Sequence, residues 1–432
     1  MQKIYYPEDK LPLSRLIPMG MQHVVAMFGA TVLAPILMGF NPQTAIFFSG
    51  IGTLLFIAIT RAKVPSYLGS SFAFIGPVLA VTGGMAGKIP YALCGIAGAA
   101  VLYGLAAAVT LKYGSKWVDR LMPPIVTGSV VALIGLNLSS SAVANFFNTD
   151  FRLTNSAEAV RLFVAVTTFT VAASVSIYIK GFLRLLPILT GVVAGYALSL
   201  ALGIIDTSHL SAIKDAAWLG LPPFIAPAFS LEALLVIAPV FVVLVAENKG
   251  HIQAISGYMK RDLNPHLGRA YMGDAVATFV SAMGGGTPQT TYAENMGVMA
   301  ITRVFSVYNF VAAACMALLL GLCPKFGAVV QSIPAPVLGG VTVILYGLIA
   351  MMGIKIWLDA KVDFCSHKNL IIAGSSIIIS TGLGAKGFTV GMINIAGIAF
   401  GTVLAVFVNL ALSFGKEDKE ADGQDCDVCK IS

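Results

Sequence analysis

Two stretches decide how this chain folds: PSYLGSSFAFIGP, residues 65–77, and GGGTPQTTYAENMG, residues 284–297. Both are rich in Gly, Pro, Ser and Thr, yet each interrupts a series of apolar runs. Each contains an alternating hydroxyl and aromatic run of about five residues, which suits a short extended strand better than a helix. An unsatisfied backbone group in lipid costs roughly several kcal/mol, so such stretches are tolerated only where they are buried in protein or line a cavity. Two readings are open: simple re-entrant loops or kinks, or two short strands, one per half of the chain. In the second, the strands pair near the midplane and leave helix N-termini aimed at a ligand.

The chain around them is a membrane protein by composition. Of 432 residues, 57 % are apolar and 11 % charged, against about 45–50 % and about 25 % in an average soluble protein. A water-soluble globular domain is excluded. Apolar stretches near the ~20 residues a helix needs to cross a bilayer fall near 17–38, 44–60, 67–84, 90–110, 123–143, 159–179 and 184–205. After a break at 206–227 they resume near 229–247, 270–284, 286–301, 304–324, 335–353, 369–383 and 390–414, fourteen in all. The net charge of +7 is spread through short loops without a basic block, so no nucleic-acid partner is expected. With the N-terminus inside, 21 of the 27 Lys and Arg fall in loops assigned to the cytoplasm and 6 on the other side, as the positive-inside rule requires. Residues 1–15 are polar and lack a cleavage site, so the first span is expected to stay in the mature protein.

The halves repeat. PIVTGSVVALIGL (124–136) laid over PVLGGVTVILYGL (336–348) gives six identities in thirteen, and SSFAF (70–74) lies over TTYAE (290–294). Seven spans per half is odd, so the second copy enters from the opposite face. Inverted-topology repeats are typical of secondary transporters, with the site near the midplane where the repeats meet.

The 20 carboxylates are sparse enough to follow individually. Six belong to the hydrophilic tail, read as disordered, and most others lie at loop ends. Glu232, Glu247, Asp274 and Glu294 fall within spans of the second half. Glu232 at a span entrance is as well explained by the helix N-terminus, and Asp274 could be structural or functional. Glu247 ends twelve residues without another charge, and Glu294 follows the strand-like TTYA. An ionised group at a helix centre carries ~2.5–3.5 kcal/mol, so both should face a polar cavity or be protonated. His251, four residues after Glu247, shares its helix face, and such a pair can hold a transferable proton. His23 could hydrogen-bond within the core. A metal site is not expected: no two histidines stand at ligand spacing within one span, and the C-x-x-C at Cys426 and Cys429 is solitary. Neither a G-x-S-x-G elbow nor a phosphate-binding loop is present, so neither hydrolytic chemistry nor ATP-driven pumping is expected of this chain, which is read as a transporter and not as an enzyme.

AENKGH (246–251), TPQTTYAENMGVMAITR (287–303) and QHVVAMFGATVLAP (22–35) closely resemble the nucleobase–ascorbate transporter family, within it the bacterial uracil permeases. The resemblance covers residues 13–415, and the family signature is matched by Glu294, Asn295, Gly297, Thr302 and Arg303. It implies an all-α polytopic fold of 14 spans in a 7+7 inverted repeat, with two short antiparallel strands in spans 3 and 10. The implied divisions are a cytoplasmic N-terminus (1–15), a core domain (16–122 and 229–325), a gate domain (123–206 and 326–414), an extracellular or periplasmic linker (207–228) and a disordered acidic cytoplasmic tail (415–432). Glu247 and Glu294 would hold ring N–H groups, and backbone amides at Phe72, Tyr292 and Ala293 would meet ring carbonyls. Phe72 would pack on the ring, Tyr346 would close over it, and His251, with Glu247 and Glu294, would take part in proton coupling. The resemblance further implies a homodimer through the gate domain, in the bacterial inner membrane with its lipid as surroundings, and no cofactor beyond H+ as coupling ion.

The residue chemistry fits a pyrimidine on its own terms. Uracil is a planar neutral ring with N–H donors and carbonyl acceptors, so it wants acceptor side chains, amide donors at broken-helix ends and an aromatic wall. The expectation is proton-coupled uracil import by an elevator-like movement of core against gate. The alternatives are another nucleobase such as xanthine, or an anion carrier of the same architecture. In uracil permeases the span 8 glutamate is usually followed by His and an apolar residue, where this chain has Asn248 and Lys249. Ala293 stands where glycine is usual.

Overall fold

The computed structural model describes residues 4–147, 156–180, 186–205, 207–384, 387–390 and 393–414. The expected disordered tail and its C-x-x-C lie outside these.

The first half runs α1 (Leu13–Met38), α2 (Pro42–Ile59), β1 (Leu68–Ser70), α3 (Ile75–Thr82), α4 (Ile89–Tyr113), α5 (Lys116–Leu121), α6 (Pro124–Asn137), α7 (Ser139–Ala144), α8 (Ser156–Tyr178) and α9 (Pro187–Ala201). The second runs α10 (Thr207–Asp215), α11 (Leu231–Ile237), α12 (Phe241–Met259), α13 (Leu267–Met283), β2 (Gln289–Thr291), α14 (Ala293–Thr302), α15 (Val307–Gly321), α16 (Pro324–Gln331), α17 (Ala335–Asp359), α18 (His367–Leu383), β3 (Phe388–Val390), β4 (Ile393–Ile395) and α19 (Gly397–Phe414). Local chemistry sets the breaks. Gly39 takes the left-handed conformation (φ 81°) that ends α1. Asn41 caps α2, its Oδ1 accepting from the amides of Gln43 at 2.9 Å and Thr44 at 3.3 Å, with Pro42 at the first helical position. Among the described residues, seven helical stretches, counting α6 with α7 and α11 with α12, are long and apolar enough to cross a membrane, or eight with the bent pair α15 and α16. The protein is an integral membrane protein, mostly helical, with short strands.

The two broken stretches form strands that pair antiparallel, Leu68 opposite Thr291, Gly69 opposite Thr290 and Ser70 opposite Gln289. Strand edges at membrane depth need partners, and each gets one from the helix before it. Thr53 Oγ1 on α2 accepts from the Leu68 amide at 2.9 Å. Thr278 Oγ1 on α13 accepts from the Gln289 amide and donates to its carbonyl, both at 3.0 Å. Gly69 is required by close approach: a Cβ there would lie 2.5 Å from the Tyr292 hydroxyl. Helices α6 and α17, which carry the repeated PIVTG and PVLGG segments, also meet through glycine. A Cβ on Gly135 would lie 2.3 Å from the Tyr346 carbonyl, and one on Gly353 2.4 Å from the Gly128 carbonyl, the small-residue packing that lets membrane helices approach closely.

Three features differ from the sequence reading. The stretch read as one span from 229 is α11, a single turn of 3₁₀ helix at Ala238–Val240, and α12, because Pro239 cannot donate to the helix ladder. The last helix begins at Gly397, and the residues read as the start of that span belong to a second antiparallel pair, β3 with β4, which Gly387 (φ 65°) precedes. The expected linker contains a helix, α10.

Candidate functional site

Strands β1 and β2 each lead into a helix start: β1 into a 3₁₀ turn at Phe72–Phe74 and then α3, β2 into α14. In α14 the first helix-internal bond is from the Met296 amide to the Tyr292 carbonyl, 3.3 Å. The amides of Ala293, Glu294 and Asn295 therefore have no acceptor within their helix, and the helix dipole adds positive character there. In front of them lies a narrow cavity of about 30 Å³. Phe72, Glu247, His251, Tyr292, Ala293 and Glu294 line it. Thr290 and Thr291 of β2, Val131 and Ile134 of α6, and Ile349 and Met352 of α17 complete the lining.

Two carboxylates thus face one small space. Glu247 is 9 % exposed, and its Oε2 has no hydrogen-bond partner among the described residues. Burying an acceptor without a partner is costly, so this oxygen is a ready receiver for a donor brought in from outside. Glu294, half-buried, sits in the first turn of α14, where the N-terminal dipole favours a negative charge. His251, one turn after Glu247, also lines the cavity, but its Nδ1 shares a 2.8 Å hydrogen bond with Thr291 Oγ1 rather than with the carboxylate. A second recess shares Val131, His251 and Met352 with the first and continues past Ala254 to Tyr258, Lys355 and Asp359. Lys355 Nζ donates to the Tyr258 hydroxyl at 3.2 Å in that recess.

Two residues are placed differently from expectation. The Tyr292 amide already donates to the Tyr67 carbonyl at 3.1 Å, extending the strand pairing, so it is not free for a ring carbonyl. The Tyr292 hydroxyl is likewise engaged, donating to the Ser70 carbonyl at 3.2 Å and accepting from Thr31 at 3.1 Å. Tyr346 is not among the lining residues. It packs against Phe72, ring centroids 5.8 Å apart and nearly perpendicular.

The signature residues other than Glu294 build the frame. Asn295 Nδ2 donates to the His23 carbonyl at 3.0 Å and meets His23 Nδ1 at 3.1 Å, tying α14 to α1. Thr302 Oγ1 donates to the Val298 carbonyl at 2.8 Å. Arg303 (φ 58°) ends the helix in the left-handed conformation, and its carbonyl accepts from the Tyr5 amide at 3.0 Å. Gly297 is exposed, and a Cβ there would meet nothing within 4 Å.

Sequence reasoning missed Thr290 and Thr291 as lining residues, although the hydroxyl run in TTYA was the available signal. It also left Asn248 and Lys249 unplaced. Asn248 donates from Nδ2 to the buried Asp274 carboxylate, so Asp274 is paired within the protein, away from the cavity. Lys249 is turned to the other side of α12, where it meets Asp119.

A profile described as "Permease family" matches residues 14–389. The chain is 44 % identical over 415 residues to RutG of Escherichia coli (strain K12), provisionally named a pyrimidine permease, covering 94 % of this chain and 91 % of that one. It is 39 % identical over 430 residues to the uracil permease of Escherichia coli (strain K12), covering 97 % of each. It is also 39 % identical over 414 residues to that of Bacillus caldolyticus, covering 94 % of each. Among solved structures, the transmembrane domain of the cyanobacterial bicarbonate transporter BicA superposes with a TM-score of 0.64 at 15 % identity, covering 94 % of this chain and 100 % of that one. Murine Slc26a9, an anion transporter solved in the inward-facing state, gives 0.68 at 13 % identity, covering 94 % and 69 %. At such identities these two establish the fold alone. The extent of the profile match and the identity to the permeases establish more: the chain belongs to this permease family, the nucleobase–ascorbate transporters, and is a transporter rather than an enzyme.

Proposed function

We propose that this protein imports uracil by proton symport, holding the base between α12 and the paired strands. The observation that carries the reading is the buried, unpartnered Oε2 of Glu247 facing the same cavity as Glu294 and the start of α14. The ring N–H groups of uracil would donate to Glu247 and Glu294, a ring carbonyl would accept from the Ala293 amide, and Phe72 would cover one face. Permease relatives named for uracil support the substrate class. RutG's name keeps other pyrimidines in view. Two carboxylates at the cavity argue against an anion as cargo, because a like charge in a site of low dielectric is strongly disfavoured. Xanthine or another nucleobase is the second reading, and Glu294 bears on it: a carboxylate only accepts, whereas an amide would suit a ring edge that both donates and accepts.

In this mechanism the fourteen apolar segments all cross the bacterial inner membrane, with both termini cytoplasmic. A core (16–122 and 229–325) moves like an elevator against a gate (123–206 and 326–414), and gates of two copies form the dimer. The recess from His251 to Lys355 and Asp359 would be the route to the cytoplasm. His251, with Glu247 and Glu294, would carry the coupled proton, and bilayer lipid would surround the whole.

The test is uptake of radiolabelled uracil by proteoliposomes, with excess unlabelled uracil, other pyrimidines, xanthine and sulfate as competitors. Competition by pyrimidines and not by sulfate is expected, as is collapse of accumulation with a protonophore but not on sodium replacement. Absence of uracil uptake, or displacement by sulfate, refutes the substrate reading.

A further inference from the structure

We infer that Lys249 is a positioning residue that fixes α5 to the substrate helix α12, so that α5 travels with the core when the protein changes state. This rests on the transport reading above for its function, though not for its geometry.

Lys249 stands two residues after Glu247 on the same helix, about 200° around the axis at 3.6 residues per turn, so the two side chains leave α12 on opposite sides. Its side chain is 2 % exposed, an ammonium inside a membrane protein. Two partners satisfy it, both from the α5 segment. Nζ meets Asp119 Oδ1 at 2.9 Å and donates to the Met122 carbonyl at 2.6 Å. Met122 is where α5 ends (φ −127°, ψ 65°), and Pro123 follows in an extended conformation. This is the boundary at which the chain passes from core to gate.

Two hydrogen bonds to this segment come from the gate side. Thr127 Oγ1 donates to the Met122 carbonyl at 3.1 Å, and Asn409 Nδ2 on α19 donates to the Arg120 carbonyl at 3.3 Å. Both are neutral bonds, whereas bonds from an ionised donor to a carboxylate are shorter and roughly twice as strong. Separating α5 from α12 would also leave Lys249 buried without its counter-charge, which is far more costly than exposing a neutral amide. When core and gate slide, the neutral bonds are the ones that yield, and bending falls to the residues from Met122 to Pro124. Asp119 is 54 % exposed, so the pair is asymmetric: without Lys249 the carboxylate can be solvated, whereas without Asp119 the ammonium is stranded.

The experiment compares wild type, Lys249→Met, Lys249→Arg, Asp119→Asn and the Lys249→Met/Asp119→Asn double variant. Each is checked for folding by thermal melting in detergent. Lys249→Met is expected to fold, to keep its Kd for uracil within threefold, and to lose at least fivefold in uptake turnover. Lys249→Arg is expected to recover most of that loss. The double variant should resemble Lys249→Met alone, because one pin cannot be removed twice. Independently of any substrate, amide hydrogen exchange over residues 116–122 should rise at least tenfold in Lys249→Met, with α4 unchanged. Unaltered exchange in α5, or turnover within twofold of wild type, overturns the inference, as does a loss in Kd equal to the loss in turnover. Absence of uracil uptake in the wild type refutes the transport reading instead, and the exchange measurement then decides the pin.

Discussion

Glu247→Gln is the most informative single change. It keeps the side chain's size while removing one acceptor oxygen and the charge, so any loss of function comes from chemistry rather than from a hole. Two opposite effects follow. In the empty protein, Oε2 is buried without a partner among the described residues, so neutralising the group relieves a cost. The melting temperature is expected to stay or rise. In the bound state, the ring N–H loses a charged acceptor. A hydrogen bond to a charged group is worth about 1.5–3 kcal/mol, and about 1.4 kcal/mol is tenfold, so uracil Kd should weaken by about 10–150-fold. The assay is equilibrium binding of radiolabelled uracil to purified protein, with uptake and thermal melting on the same preparation. Loss of binding together with equal or greater stability is the mark of a group retained for function. Binding within twofold of wild type would refute the assignment. So would a matching fall in melting temperature, since Glu247 would then be serving the fold.

Glu294→Gln should weaken uracil binding by about the same factor as one charged hydrogen bond, 10–150-fold, and should narrow the preference for uracil over xanthine in a competition assay. An unchanged ratio would show that Glu294 does not read the ring edge. Gly69→Ala places a methyl 2.5 Å from the Tyr292 hydroxyl, so Tyr292 must move and release Ser70 and Thr31. An overpacking cost of about 1–3 kcal/mol should lower the melting temperature and abolish uptake together, and a functional Gly69→Ala protein would contradict the strand geometry. Glu8, beside Arg261 at 2.8 Å, has its carboxyl held below the usual range by that hydrogen bond. A lowered carboxylate contributes stability at neutral pH that is lost as pH falls through its folded value. Both side chains are about half exposed, so the contribution is about 0–1 kcal/mol. Glu8→Gln should leave melting at pH 7 within a degree or two, and a large drop would mean that the N-terminal segment is held mainly by this pair.

What was legible in the sequence is what local pattern encodes. The hydroxyl and aromatic residues of 65–77 and 284–297, inside apolar surroundings, suited a short strand better than a helix without excluding a re-entrant loop, and the repeat placed the two where they could meet. Two carboxylates in nearly uncharged runs could be picked out because membrane burial makes each one costly. What was not legible depends on contacts far apart in sequence. Nothing near Tyr292 shows that its amide is taken by the Tyr67 carbonyl, since that follows from the register of two strands more than 200 residues apart. Nor does anything near Tyr346 show that its ring packs edge-on against Phe72, a contact between the two halves of the chain. The β3–β4 pair was lost because GFTVGMINI is apolar enough to pass for the start of a helix.

The departures at 248 and 249 show the same limit from the other side. As sequence they are two polar residues beside a site glutamate, which invites a role in binding for both. In the structure each points away from the cavity and finishes a different job: Asn248 pairs with the buried Asp274, and Lys249 reaches the end of α5. One helix therefore turns three consecutive side chains toward the cavity, the buried Asp274 and the end of α5, at about 100° intervals. A change at any one of the three need not alter the others' chemistry, but it alters the helix that carries them all. Substitutions at 248 or 249 should accordingly affect how fast the protein cycles before they affect what it binds, whereas substitutions at Glu247 should change binding itself.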